Sequence, residues 1–313
     1  PDWPSLFSPI IAWSNPDYPL LLPLTVARLW TYEGREPTTV PAAIAMLFFL
    51  ATLGFMAVSV GRRSGWAVGV LSGIVLLIAR TYVFQSSCQC ADVPLGFFFL
   101  VGTVCLVLAV DSRAASSLFV VAGAAAGLAA WTKNEGVVFF ALLLVAGVVS
   151  TRRFRAPISI VAGAAVPLAA LVVFKWRLAP PNYLFGRQAF AALLEKMADP
   201  ARWSMVSTRV MDRLPGWGEV WGGAILWLGV AVVLTVALDR RAATRALAGI
   251  LLVGAMLAGY VLVYVITPLP LDWQIATSFD RLITQLWPSL VWSAFQVTGS
   301  PTTRVPEPDA ARA

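Results

Sequence analysis

Histidine is absent from this 313-residue chain, cysteine occurs three times, and charged residues make up only 12% of the sequence. Without imidazole, most zinc patterns are excluded, because Cys88-Gln89-Cys90 has no second pair to complete four ligands. No metal centre built on thiolate or imidazole is expected. The scarcity of charge also excludes an ordinary soluble domain, in which about 25% of residues are charged. An initiator Met and a charged-then-apolar leader are missing too: the chain opens Pro1-Asp2-Trp3, so a segment upstream is expected.

What is present is apolar. Hydrophobic residues reach 59% and mean hydropathy is +0.78, so lipid is the expected solvent. The apolar runs recur throughout with no polar half that would fold separately, which predicts one membrane domain over residues 1–299 and a disordered, Pro- and Thr-rich tail at 300–313. The net charge of +7 does not indicate nucleic acid, because Lys and Arg are dispersed among loops rather than gathered on one face.

Apolar stretches near 40–60, 66–83, 93–110, 117–132, 136–149, 157–174, 222–238 and 246–266 approach the roughly 20 residues needed to cross hydrocarbon. A ninth begins at Trp287. The expected fold class is therefore all-α, a polytopic transmembrane bundle of about eight or nine helices with interfacial helices on the extracytoplasmic side. Orientation follows from basic residues in short loops, which stay cytoplasmic. Arg62, Arg63, Arg113, Arg152, Arg153, Arg155, Arg240, Arg241 and Arg245 mark one side, whereas the opposite short loops offer only Arg80 and Lys133. The long segment at about 175–221 then lies outside, and so do most acids, including Asp17, Asp92, Glu135, Asp272 and Asp280. Inner (plasma) membrane placement with an extracytoplasmic active face is expected. No ionisable residue sits in the middle of an expected span, which weighs against an ion-coupled pump.

Four segments carry candidate chemistry. Asn15 to Pro23 is punctuated by proline and reads as an interfacial loop, with Tyr18, Trp3, Trp13 and Trp30 suited to the headgroup zone. Asp92 stands at the outer mouth of an apolar helix with Pro94 in the first turn, where it either caps the helix or orients a substrate group. Trp131-Thr132-Lys133-Asn134-Glu135-Gly136 packs a cation, an amide and an acid between two short apolar helices, a costly composition near lipid. Asp272 to Pro288 reads as an amphipathic helix at the outer interface, in which Arg281 either clamps a phosphate bidentately or pairs with Asp280 or Asp17. The basic residues of the long segment, Arg187, Lys196, Arg202, Arg209 and Arg213, with Trp203, Trp217 and Trp221 among them, read as the solvated face of a membrane-lying cap. Gly123-Ala-Ala-Ala-Gly127 allows close helix packing.

Taken together, Asn15-Pro-Asp-Tyr-Pro-Leu-Leu-Leu-Pro23, Ala91-Asp-Val-Pro-Leu95, Leu128-Ala-Ala-Trp-Thr-Lys-Asn-Glu-Gly136 and Thr277-Ser-Phe-Asp-Arg-Leu282 resemble bacterial polytopic glycosyltransferases of the GT-C fold, relatives of the protein O-mannosyltransferases and lipid A aminoarabinose transferases. The resemblance implies a hexosyltransferase that moves a sugar, with inversion, from a polyprenyl-phosphate carrier to a lipid, glycan or protein acceptor at the outer face. It implies a helix ahead of Pro1 followed by a catalytic carboxylate, so that the usual base is expected upstream of this chain, with Asp17, and after it Asp2, as the substitutes within it. It further implies a role for Asp92 as the second acid and for Lys133 and Arg281 in neutralising the carrier phosphate; the polar segments themselves add Glu135 as a catalytic candidate and Asn134 and Tyr18 as substrate-binding ones. The sequence assigns no cofactor; were Asp92 to hold a divalent ion, its oxygen ligands would suit magnesium or manganese. The rival readings are a transporter or flippase of a lipid-linked intermediate and a noncatalytic membrane scaffold.

Overall fold

The computed structural model describes residues 3–8, 10, 15–111, 115–151, 155–182, 190–219, 223–235 and 240–297. Asp2, Trp13, Arg113, Arg152, Arg153, Arg187, Trp221 and the tail at 300–313 therefore lie outside the described residues. Those described form helices and no strands. In chain order the α-helices are α1 (Leu21–Glu33), α2 (Thr39–Ser64), α3 (Trp66–Ile78), α4 (Arg80–Ser87), α5 (Asp92–Asp111), α6 (Ala115–Thr132), α7 (Asn134–Thr151), α8 (Arg155–Arg177), α9 (Phe190–Ala198), α10 (Pro200–Arg213), α11 (Gly223–Thr235), α12 (Arg240–Ile266) and α13 (Leu271–Phe295).

Five of these, α2, α5, α6, α8 and α12, are long and apolar enough to cross a membrane, and α7 and α11 are shorter apolar helices. The chain is a multi-pass membrane protein. Its spans differ sharply in environment: α5 is buried along most of its length, while α2 and α8 leave most of theirs exposed, the pattern of one central helix ringed by lipid-facing ones. Because lipid removes the hydrophobic drive for helix association, packing must come from close approach. The sequence provides it where α6 meets α8: a Cβ on Gly123 would lie 1.9 Å from the carbonyl oxygen of Ile160, and one on Gly163 would lie 2.0 Å from that of Val120. Gly127 faces Ala164 in the same seam.

Four expectations are corrected. The stretch 66–83 is not one straight span, because α3 and α4 meet at 76° across Ala79. There the backbone N–H of Arg80 donates to the carbonyl of Gly218 at 3.1 Å, and the Arg80 side chain lies 3.3 Å from Glu219. Trp217, expected at the membrane surface, is 3% exposed and meets Trp287 with ring centroids 5.1 Å apart. The end of the long segment thus packs into the core beside the bend between α3 and α4. The outer amphipathic helix and the ninth span are likewise one continuous helix, α13, whose second half is almost wholly buried, including Trp287, Val291, Trp292 and Phe295. Lastly, Lys196 and Arg202 are half-buried against backbone, whereas Arg209 and Arg213 stay exposed as expected. Lys196 Nζ donates to the carbonyl of Thr267 at 3.0 Å, and Arg202 donates to those of Val265 and Thr267 at 2.7 and 3.2 Å. They cap the C-terminal end of α12, where free carbonyls favour cations.

Candidate functional site

The site is built where the mouth of α5, the α6–α7 turn and the first half of α13 meet. Gly96, one turn after Asp92, allows the approach: a Cβ there would come within 3.0 Å of the carbonyl oxygen of Gln285. Arg281 and Gln285 are four residues apart and share one face of α13, and that face is turned to Asp92. The α6–α7 turn is equally tight, since a Cβ on Gly136 would lie 2.1 Å from the backbone of Ala129. Lys133 N–H donates to the carbonyl of Ala129 at 3.1 Å and Gly136 N–H to that of Lys133 at 3.0 Å, which closes the turn and sends the Lys133 side chain inward.

Asp92 is 0% exposed. Its Oδ1 accepts from Lys133 Nζ at 2.9 Å and from Gln285 Nε2 at 2.6 Å, and its Oδ2 accepts from Arg281 Nε at 2.8 Å. Lys133 in turn lies 3.0 Å from Glu135 Oε1, with the Lys133 side chain only 4% exposed. Burial alone would favour the neutral amine, but the carboxylates of Glu135 and Asp92 outweigh it and hold the Lys133 pKa above its ordinary value. Two cations and two carboxylates form a neutral cluster, which is how charge is carried away from water without several kcal/mol of uncompensated desolvation per ion. Arg281 differs from the others in exposure: its side chain is 42% exposed, so it presents a guanidinium edge outward while Nε holds Asp92.

A second cluster adjoins the first. Asp17, 6% exposed, is not part of a solvated interfacial loop. Its Oδ2 accepts from Asn134 Nδ2 at 3.0 Å and from Asn182 Nδ2 at 2.7 Å. Lys175 Nζ donates to Asn134 Oδ1 at 2.8 Å and to the Asp17 carbonyl. The turn that places Asp17 here starts at Asn15, whose φ of +53° is tolerated by asparagine better than by most residues. Tyr18 joins the clusters, with Lys133 Nζ 5.5 Å from its ring centroid.

Between the clusters and α12 lies a cavity of about 200 Å³, lined by Tyr18, Asn134, Glu135, Val138, Asn182, Gly259, Tyr260, Val263, Tyr264, Gln274, Ser278 and Leu282. Glu135 Oε2 is buried and has no hydrogen-bond partner among the described residues, although its other oxygen holds Lys133. An orphan carboxylate oxygen beside a cavity is ready to accept a proton or a donor from a ligand.

All the sequence-predicted site residues are near one another, in three relations to the cavity. Tyr18, Asn134 and Glu135 line it. Lys133, Arg281 and Asp92 form the ion cluster behind Glu135 and Tyr18. Asp17 sits behind Asn134 and Asn182. The alternative partners considered for Arg281, Asp280 and Asp17, are not the ones it takes. Asp92 does not fit the role of a divalent-cation ligand either, since both its oxygens are occupied by ammonium, guanidinium and amide donors. Lys175, Asn182, Gln285 and Tyr260 were not among the predicted residues. Gln285 was detectable as the residue four after Arg281; Tyr260 carries no such signal, because a tyrosine in a long apolar run reads as packing.

No protein-family model matches the chain, and no curated protein matches it. Two solved structures do. A crystal structure of ArnT from Cupriavidus metallidurans bound to undecaprenyl phosphate has 15% sequence identity and a TM-score of 0.55 over 89% of this chain and 49% of that one. The apo structure of the same protein gives 16% identity and a TM-score of 0.50 over the same shares. The chain thus spans about half the length of the structures it matches, and what it shares with them is the GT-C-like fold.

Proposed function

We propose that this chain carries the donor site of a membrane glycosyltransferase that moves a sugar from a polyprenyl-phosphate carrier to an acceptor, with inversion, at the extracytoplasmic face. The observation that carries the reading is the pairing of two cations, Lys133 and Arg281, with a carboxylate oxygen left unpaired beside a cavity, in a fold shared with a protein solved with undecaprenyl phosphate. In this reading Arg281, with its outer edge exposed, and Lys133 balance the negative charge that grows on the carrier phosphate as the bond to the anomeric carbon breaks. Glu135 Oε2 takes the proton from the acceptor hydroxyl while the acceptor oxygen bonds the anomeric carbon; polyprenyl phosphate leaves. Asp92 is a positioning residue rather than the base, since it is fully buried, does not line the cavity and holds Lys133, Arg281 and Gln285. Asp17 holds Asn134 and Asn182 in the cavity wall, and Tyr18 lines the same cavity with Lys133 Nζ 5.5 Å from its ring centroid.

Incubating the protein in membranes with radiolabelled polyprenyl-phosphate sugars is expected to move label from the carrier into a second product. Label that stays on the carrier across a panel of sugars would remove this reading in favour of a flippase or a scaffold.

The orientation has its own test. Cys88 is exposed at the end of α4, four residues before Asp92, whereas Cys105 is buried within α5. A membrane-impermeant maleimide applied to right-side-out vesicles should label Cys88 and spare Cys105. Labelling of Cys88 only in inverted vesicles would put the site on the cytoplasmic side.

A further inference from the structure

The ion cluster and the cavity are joined by one further connection that none of the roles above uses. Tyr260 lines the cavity from α12 and is 4% exposed. Its hydroxyl donates to Gln285 Oε1 at 2.6 Å, and Gln285 Nε2 donates to Asp92 Oδ1 at 2.6 Å. Both atoms of the Gln285 amide are thereby committed. If the amide turned over, its oxygen would face the Asp92 carboxylate, two acceptors without a proton between them, and its NH₂ would face a hydroxyl that must then reverse as well. The Tyr260 hydroxyl therefore fixes which end of the amide meets Asp92.

We propose that Gln285 and Tyr260 act as a positioning pair that sets the rotation of the Asp92 carboxylate, and through it the placement of Lys133 and Arg281, according to what occupies the cavity. The inference rests on the glycosyl-transfer reading given above and deepens it. Asp92 offers two oxygens to three donors. The Gln285 amide and Lys133 share Oδ1, which leaves Oδ2 for Arg281. Without the amide, nothing but the two cations determines the carboxylate plane, and Arg281, being the more exposed of them, is free to swing with solvent.

The geometry also explains why the pair answers to the cavity. Tyr264, one turn from Tyr260, shares a hydrogen bond of 2.8 Å with Ser278 Oγ, so the same face of α12 is tied to α13 at two levels, and all three of Tyr260, Tyr264 and Ser278 line the cavity. A group entering the cavity touches Tyr260 directly. Any shift of that ring is passed through two short hydrogen bonds to Asp92. Networks of this kind behave as units rather than as sums of their bonds.

The test uses Gln285→Leu, Tyr260→Phe and the double variant in the membrane-embedded protein, with transfer from a polyprenyl-phosphate sugar normalised to folded protein. Gln285→Leu is expected to lower kcat on the order of 10²-fold, the usual consequence of a small misplacement of catalytic groups. KM for the donor should change little, because the cations stay in the site and what is lost is their alignment in the transition state. Tyr260→Phe removes a single hydroxyl and should lower kcat by a smaller factor. The double variant should be no slower than Gln285→Leu alone, since both substitutions cut one connection. A structural role alone would lower the yield of folded protein and leave kcat per folded molecule at the wild-type value, and that result would overturn the proposal. So would multiplicative losses in the double variant, which would show Tyr260 acting independently of Gln285. Should Gln285→Leu fail to fold, Tyr260→Phe decides: an unchanged kcat ends the idea. Wild-type protein that transfers no label refutes the glycosyl-transfer reading itself and this inference with it, whereas active wild type beside unaffected variants refutes this inference alone.

Discussion

Asp92→Asn is expected to cost about 3–5 kcal/mol of stability, the range for removing one partner from a buried ion pair, and to bring transfer to background. Asparagine fills the same space as aspartate. What disappears is the charge that Lys133 and Arg281 share, and the amide cannot accept from three donors with both of its heavy atoms as the carboxylate does. Lys133, 3% exposed, would then have only the Glu135 carboxylate to balance its charge. Arg281 reaches solvent and relaxes, which places the cost toward the lower end of that range. Thermal melts of the purified protein measure the first effect and the labelled-carrier assay the second. A second variant separates them. Adding Lys133→Met to Asp92→Asn removes one charge of each sign and leaves Arg281 and Glu135, so melting should recover while transfer does not. A wild-type melt for Asp92→Asn alone would contradict the ion cluster described here, and wild-type transfer would contradict its role.

The sequence made the helical bundle legible because lipid demands long apolar runs, and the residues that interrupt such runs stand out. Lys133, Asn134 and Glu135 were visible as a polar triplet between short helices, and Asp92 and Arg281 as charges at helix mouths. Their convergence was also inferable, since burial of isolated charge is too costly for each to stay alone. Other features were hidden for identifiable reasons. Continuity of α13 could not be read because Pro288 and a change from amphipathic to apolar composition mimic a helix boundary, whereas a proline is accommodated here within a buried helix. At the break after Ala79 the freed N–H of Arg80 is satisfied by Gly218, well over a hundred residues away, a partner that the local sequence does not show. Lys196 and Arg202 looked like solvated charges because sequence shows a residue's own neighbours and not the α12 carbonyls it will meet. Burial of Asp17 has the same origin: its partners, Asn134 on the one hand and Lys175 and Asn182 on the other, come from two distant parts of the chain. What the linear pattern showed was which residues had to be satisfied, and what it withheld was by whom.

Glu135→Gln provides the sharpest contrast with Asp92→Asn, because the same chemical change at a carboxylate two residues from Lys133 should leave the bundle standing. Lys133 keeps Asp92 at 2.9 Å, the glutamine oxygen can still accept from Lys133, and the site of the substitution borders the cavity rather than filling the core. The melting temperature should therefore fall by less than for Asp92→Asn. Transfer should not. Loss of a positioned general base typically removes about 10²–10⁴-fold in rate, and Oε2 of Glu135 is the buried carboxylate oxygen without a partner among the described residues. Donor binding should survive, since Lys133 and Arg281 remain in place, so the loss belongs to kcat rather than to KM. Single-turnover assays with labelled carrier, run beside binding of unlabelled polyprenyl phosphate, distinguish the two. If Glu135→Gln transfers at the wild-type rate while Asp17→Asn does not, the base is Asp17, and Glu135 serves to hold the Lys133 ammonium. If neither substitution slows transfer, no carboxylate of these two clusters activates the acceptor.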